Sequence, residues 1–507
     1  MKFLKLFVGI WFVTSSIFSQ TKEQINHLDS YFQKSLDEWQ IPGIAIAIVN
    51  TDSIVFSKGY GYSNIVEKTK VDANTLFAVA SNSKAFTASS IAKLVEEGKL
   101  NWDDKVIDYL PYFKMYNDYV TNNFTISDLL SHRSGLETFS GDLLWYGTTL
   151  KPKEIISAQK YLAPKYEFRT TFGYSNIAFL TAGKIIEKIS EKTWQEYIQH
   201  NFLDPLQMNR TLTSTKQING TNNVATPYYS ESGLNHEVNW LNWDNIAPAG
   251  ALISSANDFS KWLILNLNAG HSNNTSIFSE KSFNKLTTPH VNFEVGKNTE
   301  NVHFKSYGLG WSIQDYEGAK IISHSGGYDG MISKSFFIPE KQIGAVILTN
   351  SINWVSSALT NKILDVLLTN NFEGKDWSAN YLKYKKQQDS LDIVKRIDTE
   401  GLRDKLQKNH FELKKYLGIY KDKIYGTVTV TEKNNILHFQ MDKTPIFYAD
   451  LKHWNHHIFT FRFPKHLSSL PEGKLWFDLN QEGEISKLHI DVPNPDFDFT
   501  EFDFIKQ

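Results

Sequence analysis

Strand-forming sequence stands in two blocks far apart along this chain, and that separation limits the folds open to it. The early block, "IPGIAIAIVNTDSIVFSKGYGYSN" at 41–64, holds two β-rich runs joined by a polar turn at Asn50 to Ser53, the signal of a hairpin. The late block reads "YGLGWSI", "AKIISHSGGYDG", "SKSFFIPE" and "QIGAVILTN". Between them the apolar periodicity is that of helices, at 80–97, 126–130, 153–161, 176–189 and 258–268, with loops of Gly, Asn, Ser and Pro between. Helical patterns also flank the two blocks, at 25–39 and 354–368. Strands early and late with helices between predict an α/β (α+β) domain. One antiparallel sheet is assembled from both ends, flanked by helices, and closed by a helical insertion or subdomain.

Beyond Phe372 the character changes. Residues 373–412 are charged and helical in pattern with few core positions, and read as a linker. A second β-rich unit runs over 413–507, with alternation at Thr427 to Thr431 and a turn at Asn434 and Asn435, which predicts a small antiparallel barrel or sandwich. A chain of 507 residues has room for such a pair. At the other end, Lys2 and Lys5 precede an apolar run from Leu6 to Val13 and small polar residues near Ser19, the pattern of a secretory signal peptide over 1–19. That leaves 20–372 for the first domain. Export to the periplasm or the cell exterior is the expectation, with no integral membrane span after cleavage, since no later run is apolar enough to cross a bilayer.

The charge balance, 53 basic against 55 acidic side chains, provides no field that would draw nucleic acid or anionic membranes. Cysteine is absent, which excludes disulfides, a thiol nucleophile and cysteine-held metal. Neither a Gly-x-Ser-x-Gly elbow, nor a His-Glu-x-x-His zinc motif, nor a phosphate-cradling Gly-x-x-x-x-Gly-Lys occurs. Ser81-Asn82-Ser83-Lys84 does occur, at the start of the helix predicted over 80–97. Residues three apart share a helix face, so Ser81 and Lys84 can touch. A serine hydroxyl is a weak nucleophile until a base takes its proton, and a lysine is a base only when its pKa is lowered. Burial and the positive end of a helix both disfavour the ammonium form. The backbone N–H of Ser81 points toward any oxyanion formed there.

Ser-x-x-Lys recurs at Ser90, Ser157 and Ser282, so this motif decides little by itself. Two more elements add weight. "FGYSNIAF" gives Tyr174-Ser175-Asn176, a phenol able to shuttle a proton and an amide able to hold a substrate carbonyl, where a loop runs into a helix. "IISHSGGYDG" puts His324-Ser325-Gly326-Gly327 at the end of an apolar strand, where glycines admit a substrate backbone and Gly327 can offer a second oxyanion N–H.

With these motifs the chain resembles the serine β-lactamase and penicillin-binding-protein superfamily, in its class C-like branch of esterases, D-amino-acid peptidases and relatives. The likeness covers about 41–368 and includes "TISDLLSHRSGL", "APAGALISSANDFSKWL" and "YGLGWSI" in the family's order. It implies Ser81 as nucleophile, Lys84 as its base, Tyr174 as proton relay, Asn176 as a substrate contact, and the N–H groups of Ser81 and Gly327 as oxyanion hole. It also implies a site in the groove between the sheet and the helical subdomain. Where dedicated β-lactamases usually carry Lys-Thr-Gly, this chain has His324-Ser325-Gly326 lining the substrate groove. A histidine is largely uncharged near neutral pH, so this form is closer to the esterase and peptidase members. His324 is expected to hydrogen bond to the tetrahedral intermediate or the leaving group.

The C-terminal unit resembles the lipocalin-like appendage that follows such hydrolase domains, with a role in restricting the groove or in assembly. His132 in "LLSHRSGL" is by the same resemblance a structural turn, and Trp240 and Trp243 either rim the groove or pack in the core. His453, His456 and His457 lack the carboxylates or thiols that would complete a metal site. The expected protein is an exported serine hydrolase that forms an acyl-enzyme at Ser81 on a small ester, amide or D-amino-acid-containing peptide, with no cofactor and no metal. The alternative is a penicillin-binding-like recognition or sensing domain with little turnover.

Overall fold

The computed structural model describes residues 21–231, 233–272, 275–296, 301–403, 411–467 and 470–507. The signal peptide expected at 1–19 lies outside the described residues. Strands Gly43–Val49 and Ile54–Asn64 form the early hairpin. Its turn is closed by Asn50, whose Oδ1 accepts from the N–H groups of Asp52 and Ser53 at 2.9 and 2.8 Å. On its other side Gly43–Val49 pairs antiparallel with Ile343–Thr349, Ile44 opposite Thr349 and Val49 opposite Gly344. The two distant strand blocks therefore meet at the centre of one sheet.

That sheet is antiparallel throughout and runs in the order Val291–Phe293, Lys305–Tyr307, Ser312–Tyr316, Ala319–Tyr328, Met331–Ile338, Ile343–Thr349, Gly43–Val49, Ile54–Asn64, Thr69–Lys70. Gly43–Val49 is buried along its whole length, and its alternation sorts side chains by size. Ile44, Ile46 and Ile48 share a core with Leu28 and Phe32 of helix Lys22–Trp39 and Leu359 and Ile363 of helix Val355–Thr369. Ala45, Ala47 and Val49 face the core shared with the insertion, where small side chains let helix Ala256–Leu267 lie close. In that core Phe86 of helix Ser83–Glu96 stacks on Trp262 with ring centroids 3.8 Å apart and both rings fully buried. Truncating such a ring to alanine costs about 3–5 kcal/mol.

Helix Trp377–Arg403 occupies the charged stretch, and eight strands from Gly418–Lys421 to Phe504–Lys506 follow. Each barrel strand neighbours the next, and the last closes on the first through Tyr420 opposite Lys506, so the unit is a closed barrel. Closure removes free edges, and aromatic side chains including Phe439, Phe459, Phe461 and Phe477 fill the interior. The barrel seats on the insertion. Thr149 N–H donates to Lys443 O at 2.8 Å, and an ideal Cβ on Gly147 would come within 1.9 Å of Ile446 Cδ1. No described helix is long and apolar enough to cross a membrane.

Candidate active site

Strand Phe77–Ala78 leads through Val79 to Ala80, whose φ of 45° is left-handed for a residue that carries a Cβ. Such a conformation costs on the order of 1–3 kcal/mol and persists where the surroundings enforce it. Here it turns the chain into a 3₁₀ segment, Ala80–Asn82, before the α-helix begins at Ser83. The α-helix predicted from residue 80 thus starts three residues late. The tighter turn leaves the N–H of Ser81 without a hydrogen-bond partner among the described residues.

One turn on, Lys84 is completely buried. Its Nζ lies 2.9 Å from Ser81 Oγ, 2.6 Å from Asn176 Oδ1 and 2.8 Å from Ala249 O. Burial drives its pKa well below the usual lysine value, while the nearby Asp142 pulls the other way. A neutral amine has two hydrogens and one lone pair. Ala249 O and Asn176 Oδ1 can only accept, so both hydrogens go to them and the lone pair is left for the Ser81 hydroxyl. Asn176 stands at the first position of helix Asn176–Ser190, capped by Ser175. Its Nδ2 donates to Asp142 Oδ2 at 2.6 Å, which fixes the amide end that faces Lys84. Asn176 lines the cleft as expected of a substrate contact, and its amide also holds Lys84 through Oδ1 and Asp142 through one Nδ2 hydrogen.

Tyr174 lies across the same space, with its ring centroid 4.7 Å from Lys84 Nζ. Burial pushes its phenol pKa up, so it stays protonated, and the Ser81 hydroxyl acts against that rise. Behind it His132 is buried at the left-handed end of helix Ile126–Ser131, its ring centroid 4.3 Å from that of Tyr174. His132 Nδ1 accepts from Ser175 N–H at 3.0 Å, so this histidine shapes the loop that carries Tyr174.

The opposite wall is the end of strand Ala319–Tyr328. A two-residue turn joins Tyr328 to Met331, so residues 324, 326 and 328 exchange ladder bonds with strand Met331–Ile338. On the other edge the neighbouring strand stops at Ser312, opposite Ser323. The backbone groups of Ser325 and Gly327 therefore face an unpaired edge, and that edge faces Ser81. Gly326 is where the two walls touch: an ideal Cβ there would sit 2.2 Å from Val79 O and 2.8 Å from Ser81 N. Gly327 has nothing closer than 3.8 Å.

His324 lines the cleft, but its nitrogens are committed elsewhere. Nδ1 is 2.7 Å from Ser325 O, which can only accept, so Nδ1 carries the hydrogen. Nε2 then accepts from the Tyr307 hydroxyl at 2.9 Å. Burial lowers its pKa to about 3, and a protonated Lys84 would oppose its charging further, so the ring is neutral. The expected hydrogen bond from His324 to an intermediate or leaving group has no ring nitrogen left to make it.

These residues surround a cleft of about 590 Å³. Ser81, Tyr174, Asn176, His324, Ser325 and Gly327 line it, with Lys84 beneath and Gly326 behind. Trp243 lines it too, while Trp240 packs at a tilt against Tyr328. Sequence reading missed Asp142 and Tyr307, which lock Asn176 and His324, and the barrel residues Asn494, Pro495, Asp496 and Phe497, which form part of the wall. No group of three or more metal-ligating side chains occurs among the described residues. His453 and His457 instead bond to His456 O and the Tyr416 hydroxyl.

The family model described as Beta-lactamase matches residues 28–369. The chain belongs to the β-lactamase family. It is a serine hydrolase of the β-lactamase and penicillin-binding-protein fold, followed by a closed eight-stranded barrel. A second family model, described as a domain of unknown function (DUF3471), matches 402–506. The unguisins hydrolase ungD of Aspergillus violaceofuscus is 30% identical over 392 residues, covering 72% of this chain and 69% of that protein. Protein flp of Staphylococcus aureus is 28% identical over 382 residues, 74% of this chain and 72% of its own. Among solved structures, the octameric penicillin-binding protein homologue from Pyrococcus abyssi shares the fold with a TM-score of 0.60 at 24% identity, over 95% of this chain and all of that one (100%). The D-stereospecific amidohydrolase from Streptomyces sp. shares it with a TM-score of 0.55 at 20% identity, over 68% of this chain and 99% of its own.

Proposed function

We propose that this β-lactamase-family protein is an exported hydrolase of the class C-like branch that cleaves small amides, esters or D-amino-acid-containing peptides through an acyl-enzyme at Ser81. The observation that carries the reading is the buried Lys84 amine with its lone pair aimed at Ser81 Oγ, 2.9 Å away. Lys84 takes the hydroxyl proton as Oγ attacks the substrate carbonyl. The N–H groups of Ser81 and Gly327 receive the oxyanion, worth about 10²–10³-fold in rate per donor in comparable sites. Tyr174, kept protonated by burial, returns a proton to the leaving group, and water then releases the acyl group by the reverse path. The names of two similar proteins, an unguisins hydrolase and a D-stereospecific amidohydrolase, support a hydrolase, and the second supports an amide substrate. The signal-peptide pattern at 1–19 supports export.

The test is intact-mass spectrometry after brief exposure to a fluorophosphonate, a short-chain aryl ester and a chromogenic cephalosporin, with Ser81→Ala beside the wild type. A covalent adduct on the wild type alone, with ester turnover reduced on the order of 10⁴-fold or more in Ser81→Ala, is the expected result. Labelling of both proteins would place the nucleophile at another residue, and labelling of neither would move the assignment to a recognition domain.

A further inference from the structure

The cleft's charges point in one direction. Three of its described lining residues are carboxylates, Asp142, Asp329 and Asp496, and none is lysine or arginine. Asp142 is tied to Asn176. Asp329, in the turn after the Ser325–Gly327 edge, accepts the Tyr146 hydroxyl on Oδ1 at 2.6 Å. Burial pushes its pKa up to about 6, and the charge of Asp496 adds a smaller rise. Both carboxylates line the same cleft beside Tyr146, Asp329 through the Tyr146 hydroxyl and Asp496 through the neighbouring Phe497.

Asp496 comes from the barrel. An Asx turn presents it: Asn494 Oδ1 accepts from the N–H groups of Asp496 and Phe497 at 3.0 and 2.9 Å. Phe497 anchors that turn against Tyr146, ring centroids 4.4 Å apart. The carboxylate of Asp496 makes no hydrogen bond or ion pair among the described residues and stays open to the cleft. Aromatic faces of Tyr146, Trp243 and Tyr328 stand around the same space. Aromatic faces attract cations as carboxylates do. Two carboxylates and three aromatic residues lining one cleft, with no lysine or arginine among its described lining, favour an ammonium group and disfavour a substrate carboxylate.

We propose that the cleft selects substrates bearing a protonated amine near the scissile carbonyl, held between Asp496 of the barrel and Asp329 of the hairpin turn, and that it disfavours substrates with a carboxylate there. This rests on the reading of Ser81 as nucleophile for its catalytic arm only. The barrel thereby supplies a specificity residue to a reaction carried out on the other domain.

The experiment uses the full chain. Alanine p-nitroanilide of either hand, its N-acetyl form and its N-succinyl form are compared for kcat/KM in the wild type, Asp496→Asn and Asp329→Asn. The expected order in the wild type is free amine, then acetyl, then succinyl. The amine-to-acetyl ratio should fall by about 10- to 100-fold in Asp496→Asn, the loss of one charge-assisted contact. A wild-type preference for the succinyl form, or an unchanged ratio in Asp496→Asn, overturns the proposal. Binding of alaninamide and N-acetylalaninamide to Ser81→Ala by calorimetry separates this from the catalytic reading. Amine-selective binding that Asp496→Asn abolishes supports the subsite even where no fluorophosphonate adduct forms. A normal adduct with no amine-selective binding sinks the subsite alone.

Discussion

Lys84 is the residue whose environment decides the chemistry, because desolvation penalises its ammonium form while two acceptor oxygens still satisfy its hydrogens. Asp142 is the counterweight. When ionised it favours the ammonium, so it raises the Lys84 pKa and moves the acidic limb of the rate profile to higher pH. Replacing it by asparagine removes that charge, and the limb of kcat/KM for Asp142→Asn should move to lower pH than in the wild type. A shift upward would show that Asp142 acts other than through Lys84's charge. The glycines offer a second test. Gly326→Ala forces a Cβ against Val79 O and Ser81 N, and a displaced nucleophile of this kind loses on the order of 10²-fold in kcat. Gly327→Ala meets only an ordinary contact with Ile332 at 3.8 Å and should lose far less, measured on the same aryl ester. The contact of Ser81 with Lys84 was legible in the sequence because residues three apart share a helix face, and the resemblance of the Tyr174-Ser175-Asn176 motif pointed to Tyr174 beside them. Asp142 was not: "TFSGDLLWYG" has no periodic signal, and its partner Asn176 is close only through the fold. His324 was legible as a cleft residue, but its tautomer depends on Tyr307, which sits on another strand.

Elements transmit what the residues need. The 3₁₀ turn Phe499–Glu501 inserts Glu501 into the insertion domain, where its carboxylate accepts from Ser140 Oγ at 2.6 Å and from Gly141 N–H at 3.0 Å. Those two residues immediately precede Asp142. Barrel, loop, Asp142, Asn176 and Lys84 are thus linked by hydrogen bonds and by the one peptide step from Gly141 to Asp142. Glu501→Ala should lower kcat about tenfold with a smaller change in KM, since it loosens the base and not the substrate wall. Glu501→Gln keeps one acceptor oxygen and should recover part of the loss. An effect confined to KM would place Glu501 in substrate binding instead. Periodicity was sufficient to predict the long helices and the hairpin at Asn50, whose signals lie within a few residues. Short strands such as Val291–Phe293, and closure of the barrel through Tyr420 and Lys506, depend on partners remote in sequence, and local patterns do not record them.

Across the whole molecule the question is whether the barrel is an appendage or part of the site. Helix Trp377–Arg403 is about 40 Å long, enough to carry the chain across the domain and allow the barrel to return over the cleft. The seat is narrow at Gly147, which combines a φ of 63° with the Ile446 side chain where a Cβ would be. Gly147→Val cannot be accommodated without lifting the barrel, because both the backbone and the available space oppose it. Calorimetry should then resolve two unfolding transitions where the wild type shows one. In the same variant the amine-to-acetyl ratio should fall toward that of Asp496→Asn, since Asp496 and Phe497 withdraw together. Gly147→Ala combined with Ile446→Ala restores space but not backbone freedom, so it should recover the single transition at a stability lower by about 1 kcal/mol. If Gly147→Val lost its cooperative unfolding yet kept wild-type selectivity, the barrel would be a separate passenger and the cleft's preference would have to be written into the first domain alone.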